Sequence, residues 1–159
     1  MRGENEFNRH LSKELKKLKP KTFHVKVSDR FQSGVSDFLL IRDGRAVALE
    51  VKFVKKVGSG EAKLLSHPFT GPQLSFFRNV VGSGGKAFGL IAVGSERKFY
   101  LIPFSNISSG NWSKDEFIKY QEVFSDFDYD RRVFAFKDVE PMVDRLFKED
   151  SNDTNKEPA

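Results

Sequence analysis

A chain of 159 residues with 38% hydrophobic content is long enough for one domain with a real core, and seventeen phenylalanines supply much of it. The absence of cysteine excludes disulfides and thiolate zinc sites, and three scattered histidines give no zinc spacing. No apolar run is long enough to span a bilayer and the N-terminus is polar and charged rather than signal-like, so the expectation is a soluble, cytoplasmic protein. The net charge of +5 is uneven: residues 126–159 carry −4, which leaves +9 on residues 1–125. Such a basic region suits a polyanionic partner.

In chain order, Phe7, Leu11, Leu15 and Leu18 recur at helical spacing until Pro20, which predicts an amphipathic helix over 4–18. At 100° per residue Glu4 and Glu14 fall on its apolar face, while Glu6 lies well off it. Seven Lys or Arg against one Glu between Arg9 and Lys26 make the other face basic. It reads either as a solvated face or as a surface for a polyanion. Phe23, Val25 and Val27 alternate with polar residues as a strand would, and Asp29–Gly34 is a polar loop.

The segment S-D-F-L-L-I-R-D-G-R-A-V-A-L-E-V-K reads as one hairpin. Asp43-Gly44 between apolar runs is the signal for a two-residue type I′ turn, which fixes the register. Arg42 then faces Arg45, paired numbers sum to 87, and Asp37 lies opposite Glu50. Strand alternation puts Lys52 on the same face as Glu50. The remaining residues of both faces are apolar (Phe38, Leu40, Val47, Leu49 and Val51 on one; Leu39, Ile41, Ala46 and Ala48 on the other), the pattern of covered central strands. Two carboxylates planted there repel, and a hard divalent cation, Mg²⁺ or Mn²⁺, is their natural partner. A carboxylate on the buried stripe of the first helix could reach that cation; Glu4 and Glu14 both qualify.

Residues 55–70, with Lys55, Lys56, Lys63 and a Gly-Ser-Gly hinge, are expected to form a mobile loop. A helix starts near Pro72 and runs through Phe76, Phe77, Val80 and Val81 to Gly82-Ser83-Gly84-Gly85. Gln73 shares its apolar stripe; its amide either satisfies the helix start or hydrogen-bonds some other definite group. Ala87–Val93 and Lys98–Ile102 read as strands, which brings the total to about five. Ser113-x-x-Glu116 is a capping box opening a helix through Phe124; Arg132–Phe136 reads as a short strand and Val139–Phe147 as a last helix. Residues 1–149 form one domain, and 150–159 a disordered polar tail. Asp126-x-Asp128-x-Asp130 lacks the glycine and the terminal glutamate of a calcium loop, having Lys137 at position twelve. Neither a Walker A loop nor a G-x-S-x-G elbow is present.

The order helix, three-stranded meander with D…E-x-K, helix, strand resembles the PD-(D/E)XK nuclease superfamily. Within it, G34-V-S-D37, G44-R-A-V-A-L-E50-V-K52, P72-Q73-L-S-F-F and G84-G-K-A-F resemble the VRR-NUC family, especially its short stand-alone phage and bacterial members, over residues 4–103. Archaeal Holliday-junction resolvases are similar in Asp-to-Glu spacing and in the I102-P-F segment. Ser36 stands where the first motif often has Pro. The resemblance implies an α/β, restriction-endonuclease-like fold with a central mixed sheet of about five strands flanked by helices. It further implies Mg²⁺ or Mn²⁺ and a homodimer cutting branched DNA, and it favours Glu4 as the first-helix acid. On this reading Asp37, Glu50, the Val51 carbonyl and Glu4 hold the metal. Lys52 positions water or stabilises developing charge, and Gln73 orients Lys52 or touches phosphate. Arg9, Lys13, Lys16, Lys17, Ser36, Lys55, Lys56 and Lys63 contact DNA. A flap, nicking or restriction-like nuclease and a non-catalytic DNA-binding protein are the alternatives. The phenylalanines of the second half (Phe99, Phe104, Phe117, Phe124, Phe127, Phe134, Phe136) are the expected dimer interface.

Overall fold

The computed structural model describes residues 4–26, 37–54, 69–107, 128–130, 132 and 135–148. The first helix, α1, spans Glu4–Lys16, two residues short of the predicted end because the chain tightens into i→i+3 turns from Lys17 to Glu14 and from Leu18 to Leu15. It buries Phe7, Leu11 and Leu15 completely, as the stripe requires. The strands β1 (Phe23–Lys26), β2 (Phe38–Arg42) and β3 (Arg45–Val54) form an antiparallel meander. Its hairpin register pairs Phe38 with Leu49 and Arg42 with Arg45, as the turn dictates; Asp43 and Gly44 both have positive φ, 52° and 74°, the type I′ geometry.

Helix α2 (Gly71–Gly82) crosses over to β4 (Lys86–Val93), which runs parallel to β3, and β5 (Lys98–Pro103) closes the mixed sheet antiparallel to β4. The strand order is the chain order, β1-β2-β3-β4-β5. A short α3 (Phe104–Ile107) follows, then a two-stranded ribbon of β6 (Asp128–Asp130) and β7 (Ala135–Asp138), and finally α4 (Glu140–Phe147). The last strand therefore lies at Ala135–Asp138 rather than Arg132–Phe136. Asp130 accepts the backbone N–H of Arg132 and turns the chain there, and Phe136 must reach the core. The predicted helix over 113–124, residues 55–68 of the predicted 55–70 loop and the tail at 150–159 lie outside the described residues; the loop's last two residues are fixed, Phe69 being buried and Thr70 capping α2.

Register and alternation divide the sheet into two faces. Phe38, Leu40, Leu49, Val51, Leu90 and Phe99 point one way, where α1, β7 and α4 cover them; Phe7 packs 5.2 Å from Phe99 and 6.0 Å from Phe136, and Phe99 stacks on Phe136 at 4.7 Å. Ala48, Glu50, Lys52, Gly89 and Ile91 point the other way, toward α2, α3 and Phe69. Two expectations fail here. The second face of β2 is not fully covered, since Ile41 is 37% exposed and lies beside Phe23 and Val25, exposed by 49% and 41%. Phe99 and Phe136 are core residues, 1% and 2% exposed, and Phe104 packs edge-on against Phe77, so these three do not form an open interface. Phe117, Phe124, Phe127 and Phe134 lie outside the described residues.

Candidate active site

Asp37, Glu50, Lys52 and Gln73 interlock. Asp37 stands one residue before β2, opposite Glu50, and side chains rather than the ladder bridge the two strands there. The Asp37 backbone N–H donates to Glu50 Oε2 at 2.9 Å, and the Val51 N–H donates to Asp37 Oδ2 at 2.8 Å. Lys52 Nζ lies 3.5 Å from Glu50 Oε1, on the same face of the same strand. Gln73 Nε2 donates to that same Oε1 at 2.7 Å.

Gln73 performs both of the roles open to it in the sequence. Its carbonyl oxygen accepts the Thr70 N–H at 2.9 Å while Thr70 Oγ1 accepts the Gln73 N–H at 3.3 Å, a reciprocal capping box that starts α2. With the oxygen committed to the cap, the amide nitrogen faces away from it, and there it meets the Glu50 carboxylate. The contact made is with Glu50, not with Lys52. Thr70, which positions Gln73 through this box, is the residue of the candidate site that sequence reasoning missed, although Thr70-Gly-Pro-Gln73 carries the S/T-x-x-E/Q signature.

Glu50 is 2% exposed, and burial pushes its carboxyl up to about 7; the charge of Asp37 pushes the same way, while Lys52 and the Asp37 N–H pull back. Part of that burial comes from the neighbouring strand. Gly89 pairs with Glu50, and a Cβ there would meet the Phe69 ring at 2.4 Å, so only glycine lets the ring lie over β4 at this level. A half-protonated carboxyl beside a second carboxylate holds charge that a hard cation would stabilise. The oxygen donors of Asp37 and Glu50 fit Mg²⁺ or Mn²⁺ in type. Among the described residues no group of three or more His, Cys, Asp or Glu side chains gathers in one place.

The two candidates on α1 separate. Phe7 packs on Phe99, which is level with Phe53 across the sheet, so α1 begins near the Lys52 end and runs toward the hairpin turn. Glu4 opens α1 at that end, but its side chain lies outside the described atoms. Glu14 is buried at the other end of the helix and pairs with Lys17 at 2.7 Å; the chain beyond it leads to Thr22, which accepts from Arg42 at the hairpin turn. Arg45, opposite Arg42, is five residues from Glu50, about 17 Å along β3. Glu14 therefore does not join the cluster. Arg9, Lys13 and Lys16 are exposed on α1, over the sheet face opposite Glu50. Their surroundings are positive enough that His24, already disfavoured as a cation by burial, is lowered further by Lys19 and Lys16. Ser36, Lys55, Lys56 and Lys63 lie outside the described residues.

No protein-family model matches this chain, and no curated protein matches it in sequence. Among solved structures, the 1.6 Å structure of Archaeoglobus fulgidus Hjc, a Holliday junction resolvase from an archaeal hyperthermophile, superposes with a TM-score of 0.51. This chain is similar to Hjc in fold. The likeness covers 72% of this chain and 89% of Hjc at 17% identity. The fold class is thus α/β, a mixed five-stranded sheet flanked by helices as in Hjc. None of the described helices is long and apolar enough to cross a membrane.

Proposed function

We propose that this protein is a Mg²⁺- or Mn²⁺-dependent DNA endonuclease acting on branched DNA, of the Holliday-junction type. The observation that carries the reading is the interlocked set of Asp37, Glu50, Lys52 and Gln73 at the open end of the β2–β3 hairpin, on a fold shared with a resolvase. Asp37, Glu50 and the Val51 carbonyl would hold the cation, with Glu4 as the further acid. When bound, such a cation supplies Lewis-acid polarisation of a phosphate and a lowered pKa for water.

The chain's own groups do the rest. Gln73 and the Asp37 N–H fix both oxygens of Glu50, so the carboxylate cannot rotate out of register. Lys52, held beside Glu50 and 18% exposed, keeps an ammonium at the rim of the site, where it orients water or stabilises negative charge that develops on phosphate. Arg9, Lys13 and Lys16 supply sequence-independent attraction to the backbone of DNA. Lys17 contributes less, because Glu14 neutralises it. Two symmetric incisions in a junction require two sites, so the enzyme works as a twofold homodimer.

The deciding experiment compares cleavage of a labelled four-way junction, a flap and a linear duplex in Mg²⁺ and in a chelator, with Asp37→Ala as control. The reading expects metal-dependent, symmetric junction cleavage that Asp37→Ala abolishes while DNA binding persists. Preferential cutting of flaps or duplex would move the assignment to the flap, nicking or restriction-like alternative. Binding with no cleavage of any substrate would leave a DNA-binding protein on a nuclease fold.

A further inference from the structure

A cleft of about 410 Å³ opens away from the Asp37–Glu50 cluster, where the C-terminal ends of α2 and α4 meet the start of β4. Its size lies within the range of roughly 300–1,000 Å³ typical of small-molecule sites. Lys86, Arg145 and Lys148 line it together with Phe88 and Phe104, and no acidic side chain lines it among the described residues. Three like charges on one cleft repel one another, which is tolerable in water and favourable once an anion sits between them. Asp144, next to Arg145 in sequence, is already engaged, pairing with Arg42 at 2.7 Å. Lys86 Nζ donates to the Lys148 carbonyl at 2.8 Å, which orients the ammonium without neutralising it. Cations alone would suit any anion. The two half-buried aromatic rings add a surface for a flat, apolar group, and cation plus aromatic is the pairing that binds a phosphate and a base together.

We propose that this cleft is a nucleotide-binding site that takes one deoxynucleotide unit, its phosphate on Lys86, Arg145 and Lys148 and its base against Phe88 and Phe104. The unit comes either from an unpaired stretch of a DNA strand or from a free mononucleotide. Only the first source rests on the nuclease reading. Lys86 pairs with Val47 and Gly89 with Glu50, so the cleft begins about 10 Å along β4 from the carboxylate cluster.

The test is calorimetric titration of the whole protein with dTMP, thymidine and inorganic phosphate at low salt, repeated with Arg145→Ala/Lys148→Ala and with Phe104→Leu. The dTMP is expected to bind at least about tenfold more tightly than thymidine or phosphate, and each variant to lose about tenfold or more in dTMP affinity. Arg145 and Lys148 are exposed and Lys86 bonds only the backbone of Lys148, so the double variant keeps the fold, which its Tm checks. Asp37→Ala should bind dTMP like the wild type, which separates this site from the cleavage site. Displacement of dTMP by a short oligothymidylate identifies the strand as the source; failure of the oligonucleotide to compete identifies the free nucleotide. Phosphate binding as tightly as dTMP, binding unchanged in both variants, or no binding of dTMP and oligonucleotide would overturn the proposal.

Discussion

Glu50 is the residue on which stability and chemistry oppose each other. Its carboxyl is raised from 4.5 to about 7, so the folded protein binds a proton that the unfolded chain has released at intermediate pH. The sign follows: the folded state has its full relative stability below the unfolded value near 4.5 and loses it as pH rises through about 7. A shift of this size is worth about 3 kcal/mol, and at 2% exposure solvent screens little of it. Urea unfolding should therefore show the wild type losing about 3 kcal/mol relative to Glu50→Gln between roughly pH 4 and pH 8. Parallel curves for the two proteins would mean that Glu50 titrates as an ordinary surface acid. On the proposed function, Mg²⁺ would bind only the deprotonated carboxyl, so its affinity should fall below about pH 7 in the wild type.

At the scale of elements, the hairpin and α2 hold the site from two sides, and they differed in legibility. Asp43-Gly44 fixed the turn type, the turn fixed the register, and the register put Asp37 against Glu50, all from local chemistry. The partner of Gln73 was less accessible, because an amide on a buried stripe shows that it bonds something without showing what. An amphipathic stripe likewise says that α1 is buried, not against which face of the sheet; only the Phe7–Phe99 contact settles that and sets Glu14 aside. The capping box invites a test. Thr70→Ala removes the acceptor of the Gln73 backbone N–H, costing about 1 kcal/mol, while the Thr70 backbone N–H still holds the Gln73 side-chain oxygen, so stability should fall and the Gln73–Glu50 bond persist. Thr70→Ser keeps the hydroxyl and should preserve both stability and rate. Cleavage lost in the Ala variant but kept in the Ser variant would show that the hydroxyl, and not the backbone N–H alone, holds Gln73 against Glu50. The basic face of α1 is tested by salt. Log affinity for DNA should fall with log salt by roughly 0.9 per phosphate contacted, and Arg9→Gln/Lys13→Gln/Lys16→Gln should flatten that slope without moving the cut. An unchanged slope would make this a solvated face.

For the whole molecule, the abundance of phenylalanine misled, because composition counts rings without saying which element meets which. Phe99 and Phe136 fill the layer beneath α1. Among the described residues, the large apolar side chains left exposed are Val81 on α2 and, together on adjacent strands β1 and β2, Phe23, Val25 and Ile41. These last three share the sheet face of Asp37 and Glu50, and β1 is an edge strand with backbone groups to offer. Ile41 is four residues from Asp37, about 13 Å along the chain, so a twofold contact here would bring two cleavage sites close together. A Phe23→Glu/Ile41→Glu variant puts two like charges at the centre of such an interface while leaving the buried residues of both strands untouched. Light scattering at micromolar concentration is expected to show a dimer for the wild type and a monomer for the variant. With the four-way junction, the variant should then nick one strand but fail to make the paired incision. A wild-type protein that stays monomeric both free and on the junction, and only nicks, would remove the resolvase reading and leave the nicking or flap nuclease.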